Sequence, residues 1–549
     1  MILSSLVLAA AAAATPAVIP PHAKQLAAGV TASAIEGPTR FLANDLLEGR
    51  APGTPGEVIA RAYLASSLEL LGLKPGAQGG HWQQHFEFVG LKTQAPPTWT
   101  FAANGHDVTL DFWKDFIAAS GVQTPTAGFD GAELVFVGYG IVAPEYRWDD
   151  YKGADLKGKV LVMLNNDPDW DASLFAGKRR LYYGRWTYKY EEAARQGAAG
   201  AIIIHTTPSA GYRWQVVQTS WTGTQYELPA AGEPTIQVKA WTTEAATRRL
   251  LSAAGFDLDK LTQMAHSRDF KPVPLGITSS IHLTTKVSHV DTGNVIGVLP
   301  GSDPELASQY VVFSAHEDHL GVGKPDKTGD RIYNGARDNA SGVGMVMAIA
   351  RAFAHMKTPP RRSVMFLFVT GEESGLLGSA YFAAHPPVPV DSIVADINFD
   401  AGNIFGRTKD VSQVGRGKSS LDAVLDAAAG LQGRTVTDEA HPDRGMFYRS
   451  DQLSMVNVGI PSLYFSAGTD YIGRPPGWGQ TVQDAWLAQH YHQPSDEVTP
   501  DWNWDGLVQD ARLGFITGLA VADASSEPQW RPGDEFAHLR PPKRAPAER

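Results

Sequence analysis

The stretches YVVFSAHEDH (residues 310–319) and SVMFLFVTGEE (residues 363–373) decide the fold of this 549-residue chain. Each begins as an apolar run of the β type and ends in imidazole or carboxylate side chains. Two further apolar runs follow at residues 392–399 and 461–465. The segments between them carry apolar residues at helical spacing. Apolar strands that alternate with helices predict an α/β fold with a mostly parallel sheet covered by helices on both faces.

The residues before this region have a different texture. A periodic helix at 61–71 ends at Gly72, and short strands at 134–137, 160–163 and 201–204 flank a helix at 188–195. Residues 206–235 lack a clear period and are predicted to be loop. We therefore predict a smaller, β-rich α/β domain at 125–280, inserted in a main domain formed by residues 30–124 and 281–525. A polar tail at 526–549 is expected to be a surface strap or a disordered end.

Composition excludes several classes of function. Lys and Arg total 47 against 58 Asp and Glu, which gives a formal charge of −11 and no basic surface for nucleic acid. The chain contains no cysteine, so disulfides, thiolate nucleophiles and cysteine-bound metals are excluded. Any metal ion must therefore be bound by His, Asp and Glu side chains.

The N-terminus predicts export. Residues 2–14 are apolar and rich in alanine, and Thr15-Pro16-Ala17 supplies small residues after them, as in a signal peptide at residues 1–17. The basic segment that usually opens such a peptide is missing, so an alanine-rich helix is the alternative. No later segment is long and apolar enough to span a membrane. We expect a periplasmic or secreted protein without a transmembrane span.

Residues capable of binding metals follow the predicted strands. Parallel strands place their carboxyl ends at one edge of a sheet, where sites of this fold class form. Each residue alone has an ordinary explanation, such as helix capping for an Asp or a first-turn position for adjacent glutamates. Their joint appearance at successive strand ends favours a common site. The residues are His316, Asp318, Asp338, Glu372, Glu373, Asp400 and His492.

The donor types in this group predict a pair of cations. Two adjacent buried glutamates such as Glu372 and Glu373 repel each other unless a cation compensates their charge. Two His, two Asp and one Glu, with one additional Glu, fit two divalent ions that share a carboxylate and lie roughly 3.5 to 4 Å apart.

Several strings resemble the co-catalytic di-zinc aminopeptidases, whose relatives include glutamate carboxypeptidase II and the transferrin receptor. The resemblance is close over residues 285–520. Arg50-Ala-Pro-Gly-Thr-Pro-Gly56 resembles the N-terminal motif of that family, and residues 125–275 resemble its inserted protease-associated (PA) domain. The matching strings are Ala315-His-Glu-Asp318, Gly335-Ala-Arg-Asp-Asn-Ala-Ser-Gly342, Gly371-Glu-Glu-Ser-Gly-Leu-Leu-Gly-Ser379, Asn398-Phe-Asp400 and Tyr491-His-Gln-Pro-Ser-Asp496.

The resemblance implies a fold of the zinc-exopeptidase type and a role for each residue. One zinc ion would bind His316 and Asp400, and the other would bind Glu373 and His492. Asp338 would bridge the two ions, and the peptide bond after it is expected to be cis. Glu372 would be the general base toward a water at the metal pair, and Asp318 would orient the His316 imidazole. Tyr448 and Arg449 resemble a segment near the substrate cleft, so we expect one of them to contact substrate.

These expectations together predict an exported zinc exopeptidase, most simply an aminopeptidase that removes N-terminal residues from peptide substrates with two Zn²⁺ ions per chain. A carboxypeptidase or a glutaminyl cyclase on the same scaffold is an alternative. A receptor-like binding protein without catalysis is another, although relatives of that kind lose metal ligands. The inserted domain is expected to overhang the cleft and limit substrate size. The sequence makes no prediction about the oligomeric state or the preferred N-terminal residue.

Overall fold

The computed structural model describes residues 18–172 and 174–540. The predicted signal peptide at 1–17 lies outside the described residues. The helices are α1 (Ala23–Leu26), α2 (Ala32–Leu42), α3 (Pro55–Leu70), α4 (Trp186–Arg195), α5 (Thr207–Ala210), α6 (Trp214–Ser220), α7 (Glu244–Ala253), α8 (Leu258–Ala265), α9 (Ser341–Ala354), α10 (Leu377–Ala384), α11 (Leu421–Leu431), α12 (Gln452–Val456), α13 (Trp478–Gln489) and α14 (Trp504–Asp523). Within the described residues, no helix is both long enough and apolar enough to cross a bilayer.

The strands of both parts of the chain belong to one hydrogen-bonded network, apart from two small hairpins. They are β1 (Lys74–Pro75), β2 (Gln83–Gln94), β3 (Thr98–Ala103), β4 (His106–Asp111), β5 (Phe116–Ser120), β6 (Thr126–Phe136), β7 (Val142–Ala143), β8 (Trp148–Asp149), β9 (Val160–Leu164), β10 (Gly200–His205), β11 (Thr224–Glu227), β12 (Val238–Thr243), β13 (Val273–Leu299), β14 (Tyr310–His316), β15 (Gly321–Val322), β16 (Ile332–Tyr333), β17 (Ser363–Val369), β18 (Ile393–Asn398), β19 (Asp410–Val414), β20 (Thr435–Asp438) and β21 (Ser462–Ala467).

The main sheet is parallel at its centre. Strand β14 pairs in parallel with β17 on one side and with β18 on the other, and β18 pairs in parallel with β21. Antiparallel strands flank this centre, because β13 pairs with β17 and β19 pairs with β21 in that orientation. The prediction of a mostly parallel α/β sheet is confirmed for the main domain.

Both faces of this sheet are buried, which explains why its strands are continuously apolar. In β14, Val311 and Phe313 pack into the core beneath helices α2, α9 and α14. Val312 points to the opposite core, which contains Phe382 of α10 and Met455 of α12. The two-residue period of a strand therefore sends successive apolar side chains into two separate cores.

The smaller region is a mixed sheet with one apolar core of its own and a second core that it shares with the main domain. Strand β10 pairs in parallel with β9 and β12, and β12 pairs with β5 in the antiparallel sense. The predicted strands near 134, 160 and 201 are present, as is the helix near 188. The prediction of loop for residues 206–235 was wrong, since α5, α6 and β11 lie there. Val216 and Val217 of α6 are buried, but the helix has only seven residues, too few to show a period.

Strand β13 joins the two regions. Its first half pairs with β6 of the smaller region, its middle pairs with β2, and its last residues pair with β17 of the main sheet. The predicted boundary between residues 280 and 281 therefore falls inside a continuous 27-residue strand.

The described part of the C-terminal tail is a strap on the surface of the main domain. The Trp530 indole donates to the carbonyl of Gly459 at 2.9 Å, and the Arg540 guanidinium donates to the carbonyl of Ile393 at 2.8 Å. Phe536 is buried between these two contacts.

Candidate metal centre

The parallel register of the main sheet brings the predicted site residues to one edge. His316 is the last residue of β14 and lies opposite Val369, the last residue of β17. The Glu372-Glu373 pair therefore begins three residues beyond the neighbouring strand end. Asp400 follows the end of β18, the strand on the other side of β14.

The five proposed metal ligands form two groups that share one carboxylate. The His316 Nε2 atom lies 3.2 Å from Asp338 Oδ1 and 3.5 Å from Asp400 Oδ1. The His492 Nε2 atom lies 3.3 Å from Asp338 Oδ2 and 3.0 Å from Glu373 Oε2. Two ligand atoms on a tetrahedral zinc, each about 2 Å from it, are roughly 3.3 Å apart. The spacing within each group is that of atoms around a common cation, with one oxygen of Asp338 in each.

The loop that carries Asp338 is fixed from several sides. The Asp338–Asn339 peptide bond is cis, as the sequence resemblance predicts. The Asp496 carboxylate accepts hydrogen bonds from the backbone N–H groups of Arg337 at 2.9 Å and Asp338 at 3.0 Å. Gly335 has a φ of +57°, and a Cβ there would lie 2.4 Å from the His319 ring. Only glycine fits at that turn, so the loop and the His319 ring set each other's position.

The second nitrogens of both imidazoles have partners. His316 Nδ1 lies 3.2 Å from the backbone carbonyl oxygen of Asp318 and 3.7 Å from its carboxylate. That carboxylate accepts the backbone N–H of Glu372 at 3.2 Å. Asp318 therefore orients His316 mainly through its carbonyl, whereas its side chain positions the turn of Glu372. His492 Nδ1 lies 2.7 Å from the hydroxyl of Ser220, a residue of the smaller region.

The charges in this centre favour a cation. Burial alone would lower the pKa of His492, but the carboxylates of Glu373 and Asp338 raise it to about 10. Burial raises the pKa of the Glu372 carboxyl well above its ordinary value, and Glu373 and Asp400 act in the same direction. Among the described residues, His316 Nε2 is a buried atom without a hydrogen-bond partner. The donor set and this open atom fit zinc ligation.

Glu372 stands beside this centre. Oxygen atoms of Glu372 and Glu373 and a nitrogen of His316 all lie within 4.8 Å of one another. Glu372 belongs to neither of the two groups that share Asp338, and it lines the large cavity described below.

The structure adds His319, to which the sequence analysis gave no role. Its ring is fully buried, and its Nδ1 atom lies 2.5 Å from Glu373 Oε1. His319, Asp338 and Glu373 also have donor atoms within 4.8 Å of one another. Its place three residues after His316, at the same strand end, is the signal that could have indicated this proximity.

Arg50 is a second residue whose function the sequence did not reveal. It is fully buried, and its guanidinium donates to the backbone carbonyls of Glu317 at 2.7 Å, Asn334 at 2.7 Å and Gly335 at 3.2 Å. It also donates to the carbonyl of Leu42. One side chain thus joins the loop after His316 to the loop before Asp338.

A cavity of about 1150 Å³ opens onto the centre. Residues of the smaller region form much of its wall. The main domain contributes Glu372, Glu373, Arg449 and His492. Tyr448 does not line this cavity, because its ring is buried and its hydroxyl donates to Glu535 at 2.6 Å. A second cavity, of about 510 Å³, contains Glu373, Asp318 and His319.

A mostly parallel sheet thus carries two overlapping clusters of imidazoles and carboxylates at its strand ends, and these are donor types that bind zinc. Residues 294–515 match the family model described as Peptidase family M28. This part of the chain is similar to that family, and the match covers less than half of the chain.

Comparison with curated proteins gives partial matches. A probable zinc metalloprotease of Pyrenophora teres f. teres is 36% identical over 112 residues, which are 20% of this chain and 23% of that protein. A probable leucine aminopeptidase 2 of Aspergillus oryzae is 24% identical over 264 residues, which are 46% of this chain and 49% of that protein. The chain thus spans about half or less of the length of these curated relatives.

One solved structure resembles almost the entire chain. The aminopeptidase from Aneurinibacillus sp. strain AM-1 is 19% identical, and the alignment covers 95% of this chain and 98% of that one with a TM-score of 0.53. At this identity the comparison shows a shared fold.

Proposed function

We propose that the protein is a zinc-dependent aminopeptidase that binds two Zn²⁺ ions and removes N-terminal residues from peptides. The observation that carries this proposal is the pair of ligand groups that share Asp338. One zinc ion would bind His316 and Asp400, and the other would bind Glu373 and His492. The names of two curated relatives, a probable zinc metalloprotease and a probable leucine aminopeptidase, support the same class of reaction.

The proposed roles divide between the metal ions and the protein. Zinc ions bound here would lower the pKa of water and polarise a peptide carbonyl. Glu372 would accept the proton of the attacking water and deliver it to the leaving amine. Burial raises the pKa of the Glu372 carboxyl, which suits a group that must hold this proton between the two steps. The Asp318 carboxylate fixes the backbone of Glu372 and so aims its side chain.

A carboxypeptidase on the same scaffold is the second candidate. An aminopeptidase needs carboxylates near the substrate amine, whereas a carboxypeptidase needs cationic side chains for a free carboxylate. Arg185 and Arg449 both line the large cavity, and this observation favours the second candidate. A glutaminyl cyclase would use one zinc ion, so two bound ions per chain would exclude it.

Two further parts of the proposal concern the rest of the chain. We propose that residues 1–17 direct export to the periplasm or the medium, and that residues 125–280 are a protease-associated domain. Cell fractionation of the full chain and of a chain without residues 1–17 tests the first part. Retention of the full-length protein inside the cell would contradict it.

The decisive experiment replaces the proposed base. Glu372→Ala should retain two zinc ions by metal analysis and lose roughly 10² to 10⁴ in kcat, the usual contribution of a general base. The substrates are aminoacyl p-nitroanilides, compared with N-acetylated peptides that have a free C-terminus. Glu244→Ala, which changes an exposed glutamate paired with Arg248, is the matched control and should leave kcat unchanged.

Three results would contradict the proposal. Near wild-type turnover of Glu372→Ala would exclude its role as base, and activity of rigorously demetallated protein would exclude the metal mechanism. Hydrolysis of only the N-acetylated peptides would identify the carboxypeptidase instead.

A further inference from the structure

Arg185 is a buried cation without an ion-pair partner among the described residues. It immediately precedes helix α4, and only 9% of its surface is exposed. Within the described residues its guanidinium makes no ion pair, and its Nη1 atom is buried without a hydrogen bond. The guanidinium lies 5.9 Å from the centre of the Trp186 ring, so one of its faces makes a cation–π contact. The residue lines the same cavity as Glu372 and His492.

Arg449 lies in the wall of the same cavity. Its guanidinium lies 5.0 Å from the centre of the Tyr212 ring, and its Nη1 atom donates a long hydrogen bond of 3.4 Å to the carbonyl of Ala210. No carboxylate of the described residues lies within ion-pair distance of it. Burial lowers the pKa of Arg185, Tyr182 and Glu372 act in the opposite direction, and the nearby charge of Arg449 lowers this pKa further. The fold therefore places two cations near each other, and although the Glu372 carboxylate favours the charge of both, no carboxylate of the described residues forms an ion pair with either.

Such an arrangement is costly unless an anion completes it. Buried charges in proteins are normally paired, and a buried donor without a partner calls for a ligand. The planar guanidinium offers two parallel N–H groups, which match the two oxygens of a carboxylate. The cavity also contains Glu372 and Glu373, so an anion placed between the arginines would lie beside the proposed reaction centre.

We propose that Arg185 and Arg449 bind a carboxylate of the peptide substrate, so that the enzyme selects short peptides with a carboxylate next to the cleaved bond. This inference rests on the proposed peptidase function and adds a substrate class to it. The carboxylate has two sources, the C-terminus of a dipeptide or an acidic side chain. Both present the same group to the arginines, and the experiment distinguishes them.

The test compares matched substrates with the zinc-loaded full-length protein. Ala-Ala is compared with Ala-Ala amide, and Ala-Glu amide with Ala-Gln amide. The expected result is at least a tenfold higher kcat/KM for the acidic member of one pair. A preference in the first pair identifies the main-chain carboxylate, and a preference in the second identifies the side chain.

Variants assign the preference to the arginines. Arg185→Gln should reduce the ratio between acid and amide to about one while the amide is still cleaved, and Arg185→Lys should restore part of the ratio. Arg248→Gln is the matched control, since Arg248 is a half-buried arginine of the smaller region that pairs with Glu244. It should keep the wild-type ratio.

Two outcomes would overturn the inference, namely equal kcat/KM for both members of each pair in the wild-type protein, or an unchanged ratio in Arg185→Gln. If no peptide is cleaved, the proposed peptidase function fails, but carboxylate binding by the arginines is not yet decided. Calorimetric titration of the same four peptides then tests that binding directly. Tighter binding of the acidic member of a pair, if it is lost in Arg185→Gln, supports carboxylate binding by the arginines. Equal binding of both members overturns it.

Discussion

Replacement of Arg50 by alanine should destabilise the protein by about 3 to 5 kcal/mol, the range for removal of one partner from a buried charged network. Arg50 is fully buried and donates to four backbone carbonyls, those of Leu42, Glu317, Asn334 and Gly335. In Arg50→Ala these carbonyls lose their donor in a region that water does not reach.

The magnitude follows from opposing contributions. Hydrogen bonds from a charged donor contribute roughly 1.5 to 3 kcal/mol each, so four give roughly 6 to 12 kcal/mol in total. Removal of the side chain also relieves the burial of a cation, which costs several kcal/mol. Burial lowers the pKa of Arg50, in keeping with that cost. Subtraction of this relief from the total leaves a loss of about 3 to 5 kcal/mol, which is below the total.

Urea unfolding of the metal-free protein measures this free energy of unfolding. Arg50→Lys keeps the charge but lacks the planar fork, so its loss should be about half as large. Arg40→Ala, which removes an exposed arginine paired with Glu36, should change the stability by less than about 0.5 kcal/mol. A loss below about 1 kcal/mol in Arg50→Ala would refute the view that this side chain joins the two ligand loops.

Two other predictions concern the smaller region. Ser220→Ala removes the hydroxyl that contacts His492 Nδ1 and should weaken zinc binding by about 10- to 100-fold in a chelator competition titration, whereas unchanged affinity would dismiss the contact. Burial raises the pKa of Asp150 from 3.8 to about 7, so the folded state retains a proton that the unfolded state loses, and stability falls as pH rises between these values. Asp150→Asn should lack this contribution, which is at most about 1.4 kcal/mol per pH unit. If urea unfolding shows the same change in stability between pH 5 and pH 7 for the variant and the wild-type protein, the assignment is contradicted.

The main sheet could be predicted because its strands are buried on both faces. A strand such as β14 needs an apolar residue at every position, and this requirement is visible in the local sequence. The metal ligands could be located for a related reason, since they follow strand ends that the parallel register aligns. His316 and Glu373 are close together because β14 and β17 are neighbours.

The remaining features depend on contacts between distant residues. Arg50 reaches the carbonyl of Glu317, and Ser220 reaches His492, across separations of 267 and 272 residues. No local pattern encodes such a meeting. Helix α6 was missed because its seven residues are too few to show a period. Tyr448 and Arg449 are adjacent in sequence, yet only Arg449 lines the cavity.

Strand β13 has a consequence for how the molecule can be divided. Because one uninterrupted strand pairs with β6 at one end and with β17 at the other, a cut at residue 280 would leave unpaired backbone on both fragments. Exposed strand edges of this kind recruit other chains and lead to aggregation. Each half is therefore expected to be insoluble by itself, so insertions or tags are better placed in surface loops than at this junction.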